Sequence, residues 1–196
     1  MISERLKKQL EFMIEIDKMK NIYRQTYVLH ENRKENDAEH SWHIAILAFL
    51  LSEYSNTQID VLKTIKMALI HDIIEIDAGD TYCYDSKGYK TKSEREEKSA
   101  RRVFGILPDD QRDELYSLWR EFEDGSSDEA LFAAVLDRIQ PLSLNYTKEG
   151  ISWKEHDVFK EQVEKRNSGN SLASESLSEV VDKIINDAAN KGWLKK

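Results

Sequence analysis

Only two prolines and seven glycines interrupt a chain of 196 residues, and that scarcity limits its fold more than any other feature. The stretches between them are rich in Glu, Lys, Leu, Ile and Ala, which favour long helices over sheets. The expectation is an all-α protein with no convincing β-hairpin. Hydrophobic residues make up 40% of the chain, enough for one real core at this length, so residues 1–196 read as a single domain.

The helical periods divide the chain as follows. Residues 3–19 read as a first amphipathic helix, with Leu6, Leu10, Met13, Ile14 and Ile16 near one stripe. Residues 20–36 are polar and aperiodic and read as a long connection. Asn36 or Asp37 can cap a second helix, about 38–54, whose run from Trp42 to Leu51 is almost continuously apolar. That run points to a central, buried position. A third helix is expected over about 59–77, stopping near Gly79, and then a loop, GDTYCYDSKGYKTK, over 79–92. Helices follow at about 93–106 and 109–123, with Pro108 suited to the first turn of the second. A long helix over about 128–147 should be interrupted or bent at Pro141. Two more, about 153–166 and 175–190, complete the chain.

Composition also excludes function classes. No stretch approaches the roughly 20 apolar residues that cross a bilayer. The N-terminus, MISERLKKQLEFMIEI, mixes charges into its apolar positions and lacks a signal-peptide core. The expectation is a cytoplasmic protein with no membrane partner. Cys83 is the only cysteine, which excludes an intramolecular disulfide and a Cys-based zinc cluster within one chain. Its neighbours Tyr82 and Tyr84 supply no base, so it reads as an ordinary loop thiol. A formal net charge of −8 argues against duplex nucleic acid as a partner. It does not exclude an anionic substrate where a metal and a few basic side chains dominate the pocket.

The chemistry concentrates in ALIHDIIEI, where His71 and Asp72 stand inside an apolar, helical run. A buried carboxylate beside an imidazole is costly unless something pairs with it. Glu75 lies four residues after His71, on the same helical face, and Asp77 and Asp80 follow at the helix end. Almost no basic residue is near in sequence, so a divalent cation would relieve the repulsion. A core histidine bonded to its neighbouring aspartate is the competing reading. His40 and His43 lie three residues apart in AEHSWHIAI, and Asp137 is a lone carboxylate in FAAVLDRIQPL. For Asp137 the alternative is a surface pair with Arg138. If three helices pack together, His40, His71, Asp72 and Asp137 can meet around one ion. Two imidazoles and two carboxylates suit Mn, Fe, Co, Ni or Zn better than Ca, with Mg also admissible.

It is the joint pattern that becomes recognisable. The segments YRQTYVL, ENDAEHSWH, ALIHDIIEIDAGD, ILPDDQRDELYSLWREFE, AVLDRIQPLSLNY and WKEHDV resemble the HD-domain hydrolase superfamily, in particular the small group related to 5'-deoxynucleotidases. The resemblance runs from about Met19 to about Arg166. It implies a single HD-type helical bundle with a central metal site, an HD core over about 36–145, and C-terminal helices over about 153–190. It implies one divalent transition metal per chain, held by His40, His71, Asp72 and Asp137. Glu75 and Asp80 match the acidic pair that acts on the attacking water and the leaving group. Arg24 matches an arginine that holds the substrate phosphate. A tryptophan that helps judge the sugar follows that arginine in the deoxynucleotidase pattern, and here Gln25 takes its place.

The expected activity is metal-dependent hydrolysis of a phosphomonoester, a (deoxy)nucleoside 5'-monophosphate, to nucleoside and phosphate. Arg33 and His156 are further candidates to face the substrate, with surface or structural roles as alternatives. Tyr82, Tyr84 and Tyr89 can stack a base or close over the pocket, or simply pack on its rim. His43 reads as support for the site or as core. Another HD phosphohydrolase activity, on nucleoside triphosphates, cyclic nucleotides or alarmones, is one alternative. A non-catalytic module stabilised by metal is another, although such a module does not need Glu75 and Asp80. The very apolar helices and the dimeric relatives of the family imply a homodimer.

Overall fold

The computed structural model describes residues 2–85 and 88–196, with the side chain of Tyr89 outside the described set. Helix α1 (Glu4–Ile16) leads through a 3-10 turn, Asp17–Asn21, into two short strands, β1 (Tyr23–Tyr27) and β2 (Lys34–Asn36). These pair antiparallel, Tyr23 with Asn36 and Tyr27 with Lys34, with an irregular register between. Here the structure corrects the expectation of an aperiodic connection. Tyr23, Thr26, Tyr27 and Val28 favour extended backbone, and the pairing supplies their backbone hydrogen bonds. The polarity of the hairpin hides it, because only Thr26 and Glu35 within the strands are buried.

Helix α2 (Asp37–Leu51) starts at Asn36, whose side chain accepts from the Glu39 amide while Glu39 accepts from the Asn36 amide. Asp37 is therefore not the cap. Helix α3 (Val61–Ile70) follows, capped by Asp60. The expected helix over 59–77 is then broken. Hydrogen bonds from Ile73 to Ile70, Glu75 to Asp72 and Ile76 to Ile73 tighten the chain into turns spaced i to i−3. A four-residue helix, α4 (Glu75–Ala78), ends at Gly79 with φ +72°, a backbone conformation that glycine adopts without penalty. This break has a consequence for the site. Residues 71–75 are all buried, whereas a regular amphipathic helix would turn some of five consecutive residues outward.

After a 3-10 turn, Gly88–Thr91, come α5 (Lys92–Phe104), α6 (Asp109–Asp124) and α7 (Asp128–Thr147). Helix α7 runs on through Pro141 without interruption. The proline removes one backbone donor, which a regular helix would direct at the carbonyl of Asp137. The last helices are α8 (Ile151–Glu155), α9 (Lys160–Asn167), α10 (Asn170–Ala173) and α11 (Glu175–Asn190). The expected helix over 153–166 is thus two, parted around Asp157, a non-glycine residue with φ +54°.

The largest core cluster is built on Ile44 and Ala48 of α2, Phe132, Val135, Leu136 and Ile139 of α7, and Val181 and Ile185 of α11. A second joins Ile70, Ile73 and Ile74 to Val103, Phe104 and Trp119. Helices α2, α3 and α7 all pack on one another, and their meeting point carries the polar residues described next. No helix among the described residues is long and apolar enough to cross a membrane.

Candidate metal centre and catalytic site

His40 comes from the first turns of α2, His71 and Asp72 from the tightened turn after α3, and Asp137 from the middle of α7. The ligand atoms of His40, His71 and Asp72 lie within 4.8 Å of one another. Asp137 Oδ1 is 3.1 Å from His40 Nε2 and 3.7 Å from His71 Nε2. Both rings are buried. His71 Nδ1 is 3.0 Å from the carbonyl oxygen of Ala68, which can only accept, so the ring donates from Nδ1 and presents Nε2 to the carboxylates. That Nε2 is buried and makes no hydrogen bond among the described residues. It lies 3.1 Å from Asp72 Oδ1. A bare imidazole nitrogen this close to carboxylate oxygens is repulsive unless a cation lies with them.

The electrostatics of the cluster make the same demand for positive charge. Burial acts to lower His71, but Asp72 and Asp137 outweigh it and raise the ring to about 10. Burial likewise acts to raise Asp72 and Asp137. His71 and Arg24 hold Asp72 well below its ordinary range, and the adjacent rings of His40 and His71, with Arg166, do the same for Asp137. The residues present fit a divalent ion, and a set of nitrogen and oxygen donors with no thiolate is what Mn, Fe, Co, Ni and Zn accept.

Arg24 reaches this centre from β1. Its Nη1 donates to Asp72 Oδ2 at 2.6 Å and is 3.5 Å from Asp37 Oδ1, and its Nη2 is 3.8 Å from Asp137 Oδ1. Glu75 is buried, and its Oε2 makes no hydrogen bond among the described residues. Burial pushes its carboxyl well above the ordinary range, helped by Asp72, Asp37 and Asp80 and opposed by Arg24. Asp80, just beyond Gly79, is raised by burial, opposed by Arg24 and raised further by Asp72 and Asp137. Arg24, His71, Asp72, Glu75, Asp80 and Asp137 all line one cavity of about 220 Å³, together with Gln25, Tyr82, Tyr84, Lys92, Phe122 and Arg166.

Other expectations fare differently. Arg33 does not line this cavity. Its guanidinium is bonded to Glu31 and forks onto Glu39, because the hairpin carries it to the outer start of α2. Asp77 also leaves the site, paired on the surface with Arg102. His156 is exposed on the rim, 4.6 Å from the Tyr82 ring and 3.1 Å from Gln25 Oε1. His43 Nδ1 is 3.1 Å from Gln140 Nε2, one side chain removed from His40. Tyr82 and Tyr84 meet edge to face on the cavity wall, and the side-chain role suggested for Tyr89 lies outside the described residues. Cys83, a free cysteine, lies on the wall of the same cavity. On α6, Trp119 is buried in the core, and Phe122 stands 4.9 Å from the His71 ring.

Four residues were not singled out from sequence. Asp37 is wholly buried with both carboxylate oxygens lacking a hydrogen bond among the described residues, and from sequence its place at a helix start suggests only a cap. Arg166 donates to Asp137 Oδ2 at 3.2 Å from α9. Gln140 bonds His40, and its place one turn after Asp137 was a usable signal. Glu35 bonds Gln140, and only the hairpin places it there.

Comparison with known proteins bears on this geometry. A family model described as HD domain matches residues 16–178. The human protein 5'-deoxynucleotidase HDDC2 is 30% identical over 132 residues, 67% of this chain and 63% of that one. Its mouse counterpart is 31% identical over 132 residues, 67% and 65% of the two chains. The match thus spans somewhat less than two thirds of these relatives. A solved structure from Magnetospirillum magnetotacticum MS-1, described as "Predicted metal-dependent phosphohydrolase", superposes with a TM-score of 0.94. It is 44% identical, and the match covers 99% of this chain and 100% of that one.

Proposed function

We propose, because this chain belongs to the HD domain family of metal-dependent phosphohydrolases, that it hydrolyses nucleoside 5'-monophosphates to nucleoside and phosphate. The observation that carries the reading is the concentration of two functions in one cavity. A pair of imidazoles and a pair of aspartates face one another beside Arg24, and a second acidic pair, Glu75 and Asp80, borders the same space. The names of the deoxynucleotidase relatives support the nucleotide class.

His40, His71, Asp72 and Asp137 would hold the metal. When bound, a divalent ion polarises a phosphoryl oxygen and lowers the pKa of water. Arg24, already inside the cavity, pairs its planar fork with a phosphate oxygen. Glu75, raised by a burial that a divalent ion beside it would offset, would then take the proton of the attacking water at its unbonded Oε2. Asp80, whose carboxyl burial raises, is placed to pass a proton to the leaving 5'-oxygen. Gln25 stands on the wall beside Arg24 and receives hydrogen bonds from Lys34 and His156. Its polar amide, in place of an indole, leaves both ribose and deoxyribose admissible. Tyr82 and His156, with ring centroids 4.6 Å apart and planes tilted by 44°, form the rim against which a base can lie.

The protein acts as a homodimer, supported by Trp42, Ile46, Phe49 and Leu50 on one outer face of α2, where Trp42 and Phe49 are 64% and 66% exposed. From Ser41 to Leu51 the helix carries no Asp, Glu, Lys or Arg, so this face is suited to a second copy of itself. It works in a reducing, cytoplasmic compartment, in keeping with its single free thiol.

The test is metal analysis of the purified protein, then a phosphatase screen with Mn, Co and Mg against ribo- and deoxynucleoside mono-, tri- and cyclic phosphates. Release of phosphate from monophosphates, lost together with bound metal in Asp72→Ala, is the expected result. Full turnover by metal-free Asp72→Ala would refute the assignment.

A further inference from the structure

We infer that Glu35, acting through Gln140, dictates which nitrogen of His40 faces the metal centre as a bare ligand atom. The inference rests on the reading of that centre as a metal site. Glu35 lies on β2 and is 2% exposed. Its carboxylate only accepts hydrogen bonds. Gln140 Nε2 is 2.6 Å from Glu35 Oε1. The amide nitrogen must occupy that position, because the amide oxygen there would set two acceptors against each other. The same nitrogen is 3.1 Å from His43 Nδ1, so both of its protons are committed.

The orientation of the amide is then decided, and its oxygen is turned to His40 Nδ1 at 2.9 Å. An acceptor at that position calls for a proton on Nδ1. Glu35 Oε2, buried without a hydrogen bond and 3.8 Å from the same nitrogen, favours the proton there electrostatically. A neutral ring has one N–H, so Nε2 is left bare, 3.1 Å from Asp137 Oδ1. His71 receives the same instruction from a backbone carbonyl, that of Ala68, which helix geometry holds in place. His40 receives it from a side-chain amide that can turn over, and Glu35 removes that freedom. Gln140 sits one turn after Asp137, so α7 supplies a ligand and the group that orients another. Glu35 and Gln140 are positioning residues. A carboxylate behind an intermediary that fixes a ligand imidazole is an established way to hold metal affinity.

The experiment compares Glu35→Met, Glu35→Gln and Gln140→Met in the full chain, stripped with chelator and titrated with Co2+ by calorimetry at pH 8. Glu35→Met and Gln140→Met should weaken Co2+ binding by about 10–100-fold. Glu35→Gln keeps an acceptor for the Gln140 amide and should restore affinity to within about threefold of wild type, a rescue that a space-filling role does not explain. In the Zn2+-loaded wild type the His40 Nδ1–H resonance should exchange slowly with water, and in Glu35→Met it should exchange fast. Affinity within threefold of wild type in Glu35→Met overturns the inference, as does rapid exchange in the wild type. Should Glu35→Met not fold, Gln140→Met carries the same expectation. A wild type that binds no divalent ion would sink the metal reading itself, a result distinct from normal wild-type binding that Glu35→Met leaves unchanged.

Discussion

Replacing Arg24 with methionine should destabilise the metal-free protein sharply, and a divalent ion should repair much of the damage. Arg24 is the guanidinium among Asp72 at 2.6 Å, Asp37 at 3.5 Å and Asp137 at 3.8 Å, with Glu75 and Asp80 acting on it as well. At an effective dielectric constant of about 20, charges at these separations attract by about 4–6 kcal/mol each. Desolvation of the buried groups consumes much of that gain. Removing one partner is still costly because the others stay buried without compensation, and the usual penalty is about 3–5 kcal/mol. For a chain of this size each kcal/mol moves the melting temperature by roughly 2–4 °C. Arg24→Met should therefore melt about 10 °C lower than wild type in chelator. Mn2+ at 100 times its dissociation constant adds about 2.7 kcal/mol, so the gap should narrow when the ion takes over the charge of Asp72 and Asp137. Thermal melts of both proteins, with chelator and with Mn2+, give the answer. If the variant in chelator melts within 2 °C of wild type, the idea that Arg24 neutralises this cluster is wrong.

Other expectations follow from the same geometry. Glu75→Gln and Asp80→Asn should each retain metal yet lower kcat by about 10²–10⁴-fold, checked by metal analysis beside steady-state kinetics. Burial raises Glu35 to about 7. An acid raised on folding contributes stability below its unfolded pKa and loses it as pH climbs through the folded value. The Glu35 share of stability in the chelator-treated wild type should thus fall by up to about 3 kcal/mol between pH 5 and 8, so Glu35→Gln should show a correspondingly flatter profile than wild type in denaturant melts. Phe49→Glu, with Trp42→Glu as a second variant, should halve the mass measured by light scattering while leaving the far-ultraviolet spectrum unchanged.

Sequence by itself determined the helical class and the chemical inventory. Few breakers and a 3.6-residue apolar period specify helices locally, and the cost of burying His40, His71, Asp72 and Asp137 amid apolar neighbours marks them without a structure. Glu75, Asp80 and Arg24 were legible through family resemblance. Tertiary structure alone decided the rest. The i to i−3 turns at Ile70–Asp77 are set by packing against α5, where Ser99 Oγ donates to the Ile74 carbonyl, and they bring His71, Asp72 and Glu75 inward together. The β1–β2 hairpin has weak local signals, but its pairing carries Arg24 and Glu35 to the centre and Arg33 away from it. Interactions spanning about a hundred residues, such as Glu35 with Gln140 and His40 with Asp137, leave no periodic trace, because their energy depends on separations that exist only once α2, α3 and α7 have packed.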